Sequence, residues 1–147
     1  MDANLDILNA EFEQMSKQFP DAQLPPNCFS VMRGKYLDYE SRTLMKISFP
    51  VLSEFLNPMR SMQGGFIAAA FDNVIGPLSY LAARATCVSL DMHTNYIRPV
   101  YAGDELNITA RVVIRGRATM NISAEAVNSK GKLIATCTSH LIVMKKE

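Results

Sequence analysis

The 147-residue sequence contains no tryptophan, only three cysteines and almost no net charge. Cys28, Cys87 and Cys137 lie far apart and form no C-x-x-C pair, so they indicate neither a zinc site nor a disulfide framework. We expect reduced thiols and therefore a cytoplasmic protein. A formal charge of +1 argues against nucleic acid or an anionic membrane surface as the main partner.

Long apolar runs are also missing from the sequence. No stretch approaches the ~18 consecutive apolar residues that would span a bilayer, so no membrane partner is expected. Residues 1–20 carry four acidic side chains among their apolar positions, which is not the composition of a secretory signal. With 48% hydrophobic residues, the chain is predicted to form one globular domain over residues 1–147.

The first pattern that is present lies at the N-terminus. Residues 1–20 are predicted to form an amphipathic helix, because apolar residues recur there three and four positions apart. Pro20 ends this helix, and Pro25 and Pro26 continue a connecting loop. Two strands are predicted next, over residues 29–38 and 43–49.

Residues 63–83 form the longest helical pattern, and its two faces differ. One face carries large apolar side chains, whereas the other carries small residues around a single carboxylate, Asp72. Because a solvated face normally carries Lys, Glu and Gln, we expect the small-residue face to meet another backbone or a ligand. Pro77 should bend the helix, because it cannot donate a hydrogen bond to the carbonyl of Asn73.

The rest of the chain alternates with the two-residue period of strands. Apolar and polar residues alternate from Val88 to Tyr96, which predicts a half-buried strand with Val88, Leu90 and Met92 on one face. Three more strands follow, with turns at Gly103, at Gly116 and over residues 128–131. One dominant helix and sequential hairpins predict an α+β fold, with an antiparallel sheet wrapped around the central helix.

The motif Asn57-x5-Gln63-Gly64-Gly65-x6-Asp72 resembles that of the hotdog-fold thioesterases of the PaaI-like type, named for phenylacetic acid degradation. Residues 88–104 and 131–135 also resemble that family. The likeness as a whole covers about residues 29–144. One position departs from the pattern, since family members usually have His where this chain has Gln63. A glutamine amide donates a hydrogen bond to a carbonyl, but it does not titrate.

The resemblance implies hydrolysis of acyl-coenzyme A thioesters and a role for each matching residue. The backbone amide of Gly64 would hold the oxyanion, and Asp72 would activate water or attack the thioester directly. Asn57 would orient water or substrate, and Ser89 would assist near the same carbonyl. Gly65 also leaves a helix N–H free at the positive end of the helix dipole.

The helix spacing adds a constraint that does not depend on the resemblance. Gly64 and Asp72 are eight residues apart, which is roughly 12 Å along a helix axis. Both groups cannot contact one carbonyl carbon from a single chain, so a shared site requires at least two copies. We expect a homodimer or a dimer of dimers, as the resemblance also implies.

Coenzyme A also carries anionic phosphates, which proteins bind with cationic side chains. Arg98 and Arg117 are candidates to bind them, because a guanidinium suits phosphate geometry. The sequence has no glycine-rich phosphate loop and no metal-ligand cluster, so we expect no metal and no cofactor beyond the coenzyme A of the substrate.

Two other functions remain open at this point. Because Gln63 does not titrate, the protein would also suit non-catalytic binding of acyl-coenzyme A. A hotdog hydratase or dehydratase is less favoured, since no histidine lies on the central helix or directly before it. His93 and His140 fall in predicted strands and are interpreted as structural.

Overall fold

The computed structural model describes residues 2–144, which form three α-helices and six strands. A short 3-10 helix at Ser53–Phe55 precedes the central helix. The elements follow in the order α1 (Ala3–Gln18), α2 (Asn27–Val31), β1 (Lys35–Glu40), β2 (Leu44–Pro50), α3 (Gly64–Ala83), β3 (Cys87–Tyr96), β4 (Glu105–Arg115), β5 (Thr119–Val127) and β6 (Leu133–Val143).

The six strands form one antiparallel sheet in the order β1-β2-β4-β5-β6-β3. Helix α3 lies against the inner face of this sheet and contacts every strand from β2 to β6. The apolar face predicted for this helix is buried against the sheet, as shown by Ile67, Ala70, Phe71, Val74, Leu78 and Leu81. The expected α+β architecture, a sheet wrapped around a long helix, is therefore confirmed.

Helix α3 contains 20 residues and is apolar enough, by length and composition, to cross a bilayer. The sequence pattern predicts no such segment. In this fold the sheet covers the large apolar side chains of the helix, which explains its composition without a membrane. Pro77 lies within the helix, which continues through it to Ala83.

The strand predicted over residues 29–38 is wrong in its first half, because Asn27–Val31 is helical. Tertiary contacts explain the difference. The buried Asn73 of α3 donates hydrogen bonds from its amide to the Cys28 carbonyl and to the Met32 sulfur. The Phe29 ring stacks on Tyr36, and it lies so close to Gly34 that a Cβ there would be 2.6 Å from the ring. The strand begins only after this turn, at Lys35.

The predicted alternation along β3 is also interrupted. The pairing with β6 shifts between Ser89 and Asp91, which leaves Leu90 as an extra residue in a β-bulge. Val88 and Leu90 are therefore 52% and 58% exposed instead of facing the core. Ser89, by contrast, pairs with the buried Leu141 and so lies on the inner face of the sheet.

The two edges of the sheet differ in how they are covered. Helix α1 lies along β1, where Asn4 donates a hydrogen bond to Asp38 and Phe12 packs against Tyr36. Strand β3 forms the opposite edge and pairs with β6 alone among the described strands. It is ten residues long, and its free side is open to solvent.

Candidate active site at the start of the central helix

The first turn of α3 presents free backbone N–H groups. Gln63 is the N-cap residue, and its carbonyl accepts hydrogen bonds from the N–H groups of Phe66 and Ile67. Within residues 2–144, the amides of Gly64 and Gly65 have no hydrogen-bond acceptor, and the Gln63 side chain makes no capping bond. Two donors at the positive end of a 20-residue helix are suited to a carbonyl oxygen that gains negative charge.

The side chain of Gln63 folds back over this turn. A Cβ added to Gly65 would lie 3.0 Å from the Gln63 carboxamide oxygen. Glycine at position 65 therefore leaves room for the carboxamide, and any larger residue would displace it. Position 63, where the resemblance leads one to expect a histidine, thus carries a neutral amide beside the two free N–H groups.

Tyr96 is a further residue of this site that the sequence reasoning did not single out. Its hydroxyl donates a 2.8 Å hydrogen bond to the Gly64 carbonyl oxygen, and its ring packs against the Gly64 backbone. A Cβ on Gly64 would lie 3.0 Å from the ring carbon that bears the hydroxyl. Tyr96 stands in the segment that carries the family resemblance, but its contact spans 32 positions and leaves no local signal.

Asp72 lies two helical turns beyond Gly64, on the exposed face of α3. Desolvation by its surroundings raises the pKa of the Asp72 carboxyl. Its charge in turn contributes to the raised pKa values of Tyr80 and Cys137, after the larger effect of their own burial. Cys137 is on β6, next to β3, so Asp72 lies on the side of α3 nearer to that edge of the sheet.

Ser89 lies on the same side of the molecule, at the bulge of β3. This strand runs antiparallel to α3, since the Cys87 sulfur lies 3.6 Å from the Ser79 carbonyl and Tyr96 contacts Gly64. Ser89 therefore lies alongside the middle of the helix, on the inner face of the sheet. It is exposed, because the edge strand has no neighbour beyond it among the described residues.

Asn57 has a structural role in the loop before α3. Its carboxamide oxygen accepts hydrogen bonds from the N–H groups of Met59 and Ser61, and its amide donates to the Ser61 hydroxyl. The loop is tied to the helix start, because the N–H of Gln63 donates to the Phe55 carbonyl. The predicted contact of Asn57 with water or substrate stays a prediction.

The two candidate arginines lie at opposite ends of α3. Arg98 follows Tyr96 near the helix start, and its guanidinium donates a 2.9 Å hydrogen bond to the Leu133 carbonyl. Arg117 lies near the helix end, where it lines an open cavity of about 400 Å³ together with Arg42 and Arg115. In one chain the two ends are separated by roughly 27 Å.

Arg42 and Arg115 converge on the last turn of α3. Both donate hydrogen bonds to the Ala82 carbonyl, at 2.8 and 3.2 Å from Arg42 and 3.1 Å from Arg115. Burial, and then the charges of Arg115 and Arg84, lower the pKa of Arg42. Sequence reasoning missed Arg42, whose partner lies 40 positions away.

The predicted site residues thus fall into three groups along α3. Gln63, Gly64 and Gly65 meet at its start, with Asn57 in the preceding loop and Arg98 nearby. Asp72 and Ser89 lie along its middle, and Arg117 lies at its end. No cluster of three or more His, Cys, Asp or Glu side chains suited to a metal occurs among residues 2–144.

The chain is similar to known proteins in both sequence and fold. The chain matches the family model of the thioesterase superfamily over residues 60–135. Human acyl-coenzyme A thioesterase 13 is 33% identical over 87 residues, a segment that spans 58% of this chain and only 62% of the human protein.

Solved structures extend the likeness to most of the fold. The E. coli PaaI protein of the phenylacetic acid degradation operon has a TM-score of 0.80 at 19% identity, over 92% of this chain and 95% of that one. A Streptococcus mutans protein solved with acetyl CoA has a TM-score of 0.74 at 23% identity, over 86% and 96% of the two chains. These likenesses confirm the expected hotdog fold.

Proposed function

Because this chain belongs to the thioesterase superfamily, we propose that it hydrolyses acyl-coenzyme A thioesters to a free acid and coenzyme A. The observation that carries the proposal is the pair of free amides at Gly64 and Gly65, followed on the same helix by the carboxylate of Asp72. The name of the human relative and the acetyl CoA bound to the Streptococcus mutans protein support the same substrate class.

In this reaction, water attacks the thioester carbonyl carbon while the Asp72 carboxylate accepts a proton from the water. The carbonyl oxygen gains negative charge, which the N–H groups of Gly64 and Gly65 stabilise. The carbon–sulfur bond then breaks, and the proton held by Asp72 passes to the coenzyme A thiolate. The raised pKa makes Asp72 a stronger base than an ordinary carboxylate.

We assign each site to two chains, which makes the active form a homodimer or a dimer of dimers. Gly64 and Asp72 are roughly 12 Å apart along one helix, so only an antiparallel partner helix brings the two groups together. The open edge of β3 supports this assembly, because an unpaired strand edge accepts a second strand. The exposed Val88 and Leu90 beside that edge would gain burial.

The phosphates of coenzyme A would meet the cavity that Arg117 lines. That cavity lies roughly 15 Å beyond Asp72 along the helix axis, a distance within the reach of an extended pantetheine arm. In an antiparallel pair with Gly64 of one chain opposite Asp72 of the other, the helix start near Arg98 lies alongside the middle of the partner helix, roughly 15 Å from the end that carries Arg117. Arg117 therefore suits the phosphates better than Arg98 does.

A second candidate function is non-catalytic binding of acyl-coenzyme A, and the neutral carboxamide of Gln63 favours it. Hydratase chemistry is disfavoured, because His93 and His140 lie on the outer face of the sheet, away from α3. His140 there contacts the Asp91 carboxylate at 3.1 Å. We also propose a cytoplasmic location, which suits three free thiols, and no cofactor beyond the substrate's coenzyme A.

The test is thiol release from a panel of acyl-coenzyme A substrates by the wild type, Asp72→Ala and the surface control Asp21→Ala. We expect turnover by the wild type and the control, and a loss of about 10³-fold in Asp72→Ala. Wild-type protein that binds the substrates without turnover would establish the binding function instead. Equal rates for Asp72→Ala and wild type would refute the assigned site.

Mixing two inactive variants tests the shared site. A Gly64→Val chain paired with an Asp72→Ala chain contains one intact site, so co-expression should restore about a quarter of the wild-type activity in a random mixture of dimers. A site built within one chain would give no recovery. Light scattering on the same samples gives the oligomeric state, and an active monomer would overturn the assignment.

A further inference from the structure

We propose that Tyr96 is a positioning residue that orients and polarises the peptide group between Gly64 and Gly65. The inference rests on the proposed thioester hydrolysis and adds a residue to its machinery. It starts from one contact, the 2.8 Å hydrogen bond from the Tyr96 hydroxyl to the Gly64 carbonyl oxygen.

The chemistry of the peptide group explains why this contact matters. The Gly64 carbonyl and the Gly65 N–H belong to the same planar amide. A donor at the carbonyl oxygen draws electron density through that amide, so that the N–H at its other end becomes a stronger donor. The hydroxyl of Tyr96 therefore strengthens the Gly65 N–H, one of the two N–H groups that would face the thioester oxygen.

The packing of the ring fixes the geometry of the same peptide. A Cβ on Gly64 would approach the Tyr96 ring and hydroxyl at 3.0 to 3.2 Å, closer than ordinary contact. The ring therefore lies directly on the Gly64 backbone, which restricts how the first peptide of the helix can tilt. Oxyanion donors act through fixed orientation, since they lose little energy in reorganising during the reaction.

Tyr96 also links the two parts of the proposed site. It is the last residue of β3, the edge strand that carries Ser89, and it contacts the first residue of α3. The strand that would pair with a second copy is thus connected to the amides that would serve that copy's Asp72.

The exposure of Tyr96 argues against a mainly structural role. Its side chain is 54% exposed, and α3 is held by a large buried core, so loss of one exposed hydroxyl should hardly change stability. A residue that acts through Gly64 and Gly65 should instead change the catalytic step.

The experiment compares Tyr96→Phe with Tyr101→Phe, a matched control because Tyr101 is similarly exposed, at 55%, and lies five positions further along the chain. For an acyl-coenzyme A that the wild type hydrolyses, we expect Tyr96→Phe to lower kcat about tenfold and to leave KM within about twofold. Tyr101→Phe should match the wild type, and the thermal unfolding of both variants should stay close to that of the wild type.

A second measurement remains informative even without turnover. The probe is a ketone analogue of acyl-coenzyme A, in which a methylene group replaces the sulfur, and the readout is its carbonyl stretching frequency when bound. We expect the binding-induced shift to lower frequency to be smaller in Tyr96→Phe than in wild type and Tyr101→Phe. If no substrate is hydrolysed, the proposed function fails while this spectrum still tests Tyr96. An unchanged kcat in an active protein, or an equal carbonyl shift in all three proteins, would overturn the proposal.

Discussion

The two ends of the central helix differ in whether their backbone groups have hydrogen-bond partners. At its start, the amides of Gly64 and Gly65 are free within the described chain, and Gln63 provides no side-chain cap. At its end, the Ala82 carbonyl accepts three hydrogen bonds from Arg42 and Arg115. One end leaves its backbone groups available, and the other satisfies them with positive charge.

The difference separates the contribution of each end to stability and to function. Unsatisfied N–H groups cost stability, so a helix start without a side-chain cap is expected where a ligand will supply the acceptor. Guanidinium groups at the C-terminus offset the negative end of the helix dipole and stabilise the helix instead. Substitutions at the start should therefore change activity, and those that remove the arginine hydrogen bonds to Ala82 at the end should change the free energy of unfolding.

Among substitutions at the two helix ends, the largest expected effect is at Gly64. In Gly64→Ala the new Cβ would lie 3.0 Å from the Tyr96 ring, which must move with the peptide it holds. We expect kcat to fall by up to about a hundredfold, because small misplacements of catalytic groups are costly. Stability should be kept, since alanine favours the helix.

Gly76 is the matched control for that substitution. It lies on the same helix, and a Cβ there would have no neighbour within 4 Å among the described residues. Gly76→Ala should raise the free energy of unfolding by about 0.5–1 kcal/mol and should lower kcat far less than Gly64→Ala does. Similar loss of activity in both alanine variants would mean that the helix start has no special role.

A smaller effect is expected from the arginines at the helix end. Arg42→Met removes two of the three hydrogen bonds to Ala82, and we expect a loss of about 1.5 kcal/mol, or a few degrees in Tm. Arg117→Met should leave Tm unchanged and raise KM for acyl-coenzyme A, because Arg117 is exposed and lines the cavity without bonding to the helix. A KM effect at Arg42 larger than at Arg117 would contradict this division.

The pH dependence of stability tests whether Asp72, in the middle of the helix, is desolvated. Because its pKa is raised in the folded chain, the folded state binds this proton more tightly than the unfolded state does. Stability should therefore fall as pH rises from the ordinary carboxyl range through the raised pKa. Asp72→Asn should remove the loss of stability that comes from ionising Asp72. The Tm of the variant should therefore exceed that of wild type by more at neutral pH than at pH about 4. A Tm difference independent of pH would show that Asp72 is not desolvated.

The fold was predictable because its main signals are local and repeated. The apolar face of α3 and the alternation of β4 and β5 follow directly from residue spacing. The helix at Asn27–Val31 was missed, because its contacts with Asn73 and Tyr36 come from elsewhere in the chain. The bulge at Leu90 was missed for another reason, since a two-residue period does not show where a residue is inserted.

The site was predictable only in part, and for a similar reason. Gly64, Gly65 and Asp72 stand within nine positions of one another and form a motif that can be recognised. Tyr96 and Arg42 act on that same helix from 32 and 40 positions away, through hydrogen bonds to backbone carbonyls. Every residue type has a backbone carbonyl, so the sequence does not show which residue accepts the hydrogen bond from Tyr96 or Arg42.

The smallest expected effect concerns Arg84, which caps the helix end in the left-handed conformation, with φ of 52° and ψ of 38°. Glycine and asparagine are the usual residues at such positions, because other side chains cost about 1 kcal/mol there. Arg84→Asn relieves that strain and the repulsion of Arg42, while it loses a favourable charge at the helix C-terminus worth about 0.3–1 kcal/mol. The hydrogen bond from Gln18 is kept, because it goes to the Arg84 backbone carbonyl.

These opposing terms should leave Arg84→Asn about 0.5 kcal/mol more stable than wild type. The control is Arg60→Asn, which relieves a similar strain, at φ of 67°, in a loop away from the helix end. Thermal unfolding at low and high salt separates the terms, because salt screens exposed charges and leaves backbone strain unchanged. Since strain is common to both positions, only the Arg84 variant should show a salt-dependent Tm difference from wild type. A salt-dependent difference of equal size at Arg60 would mean that the charge of Arg84 has no particular relation to the helix end.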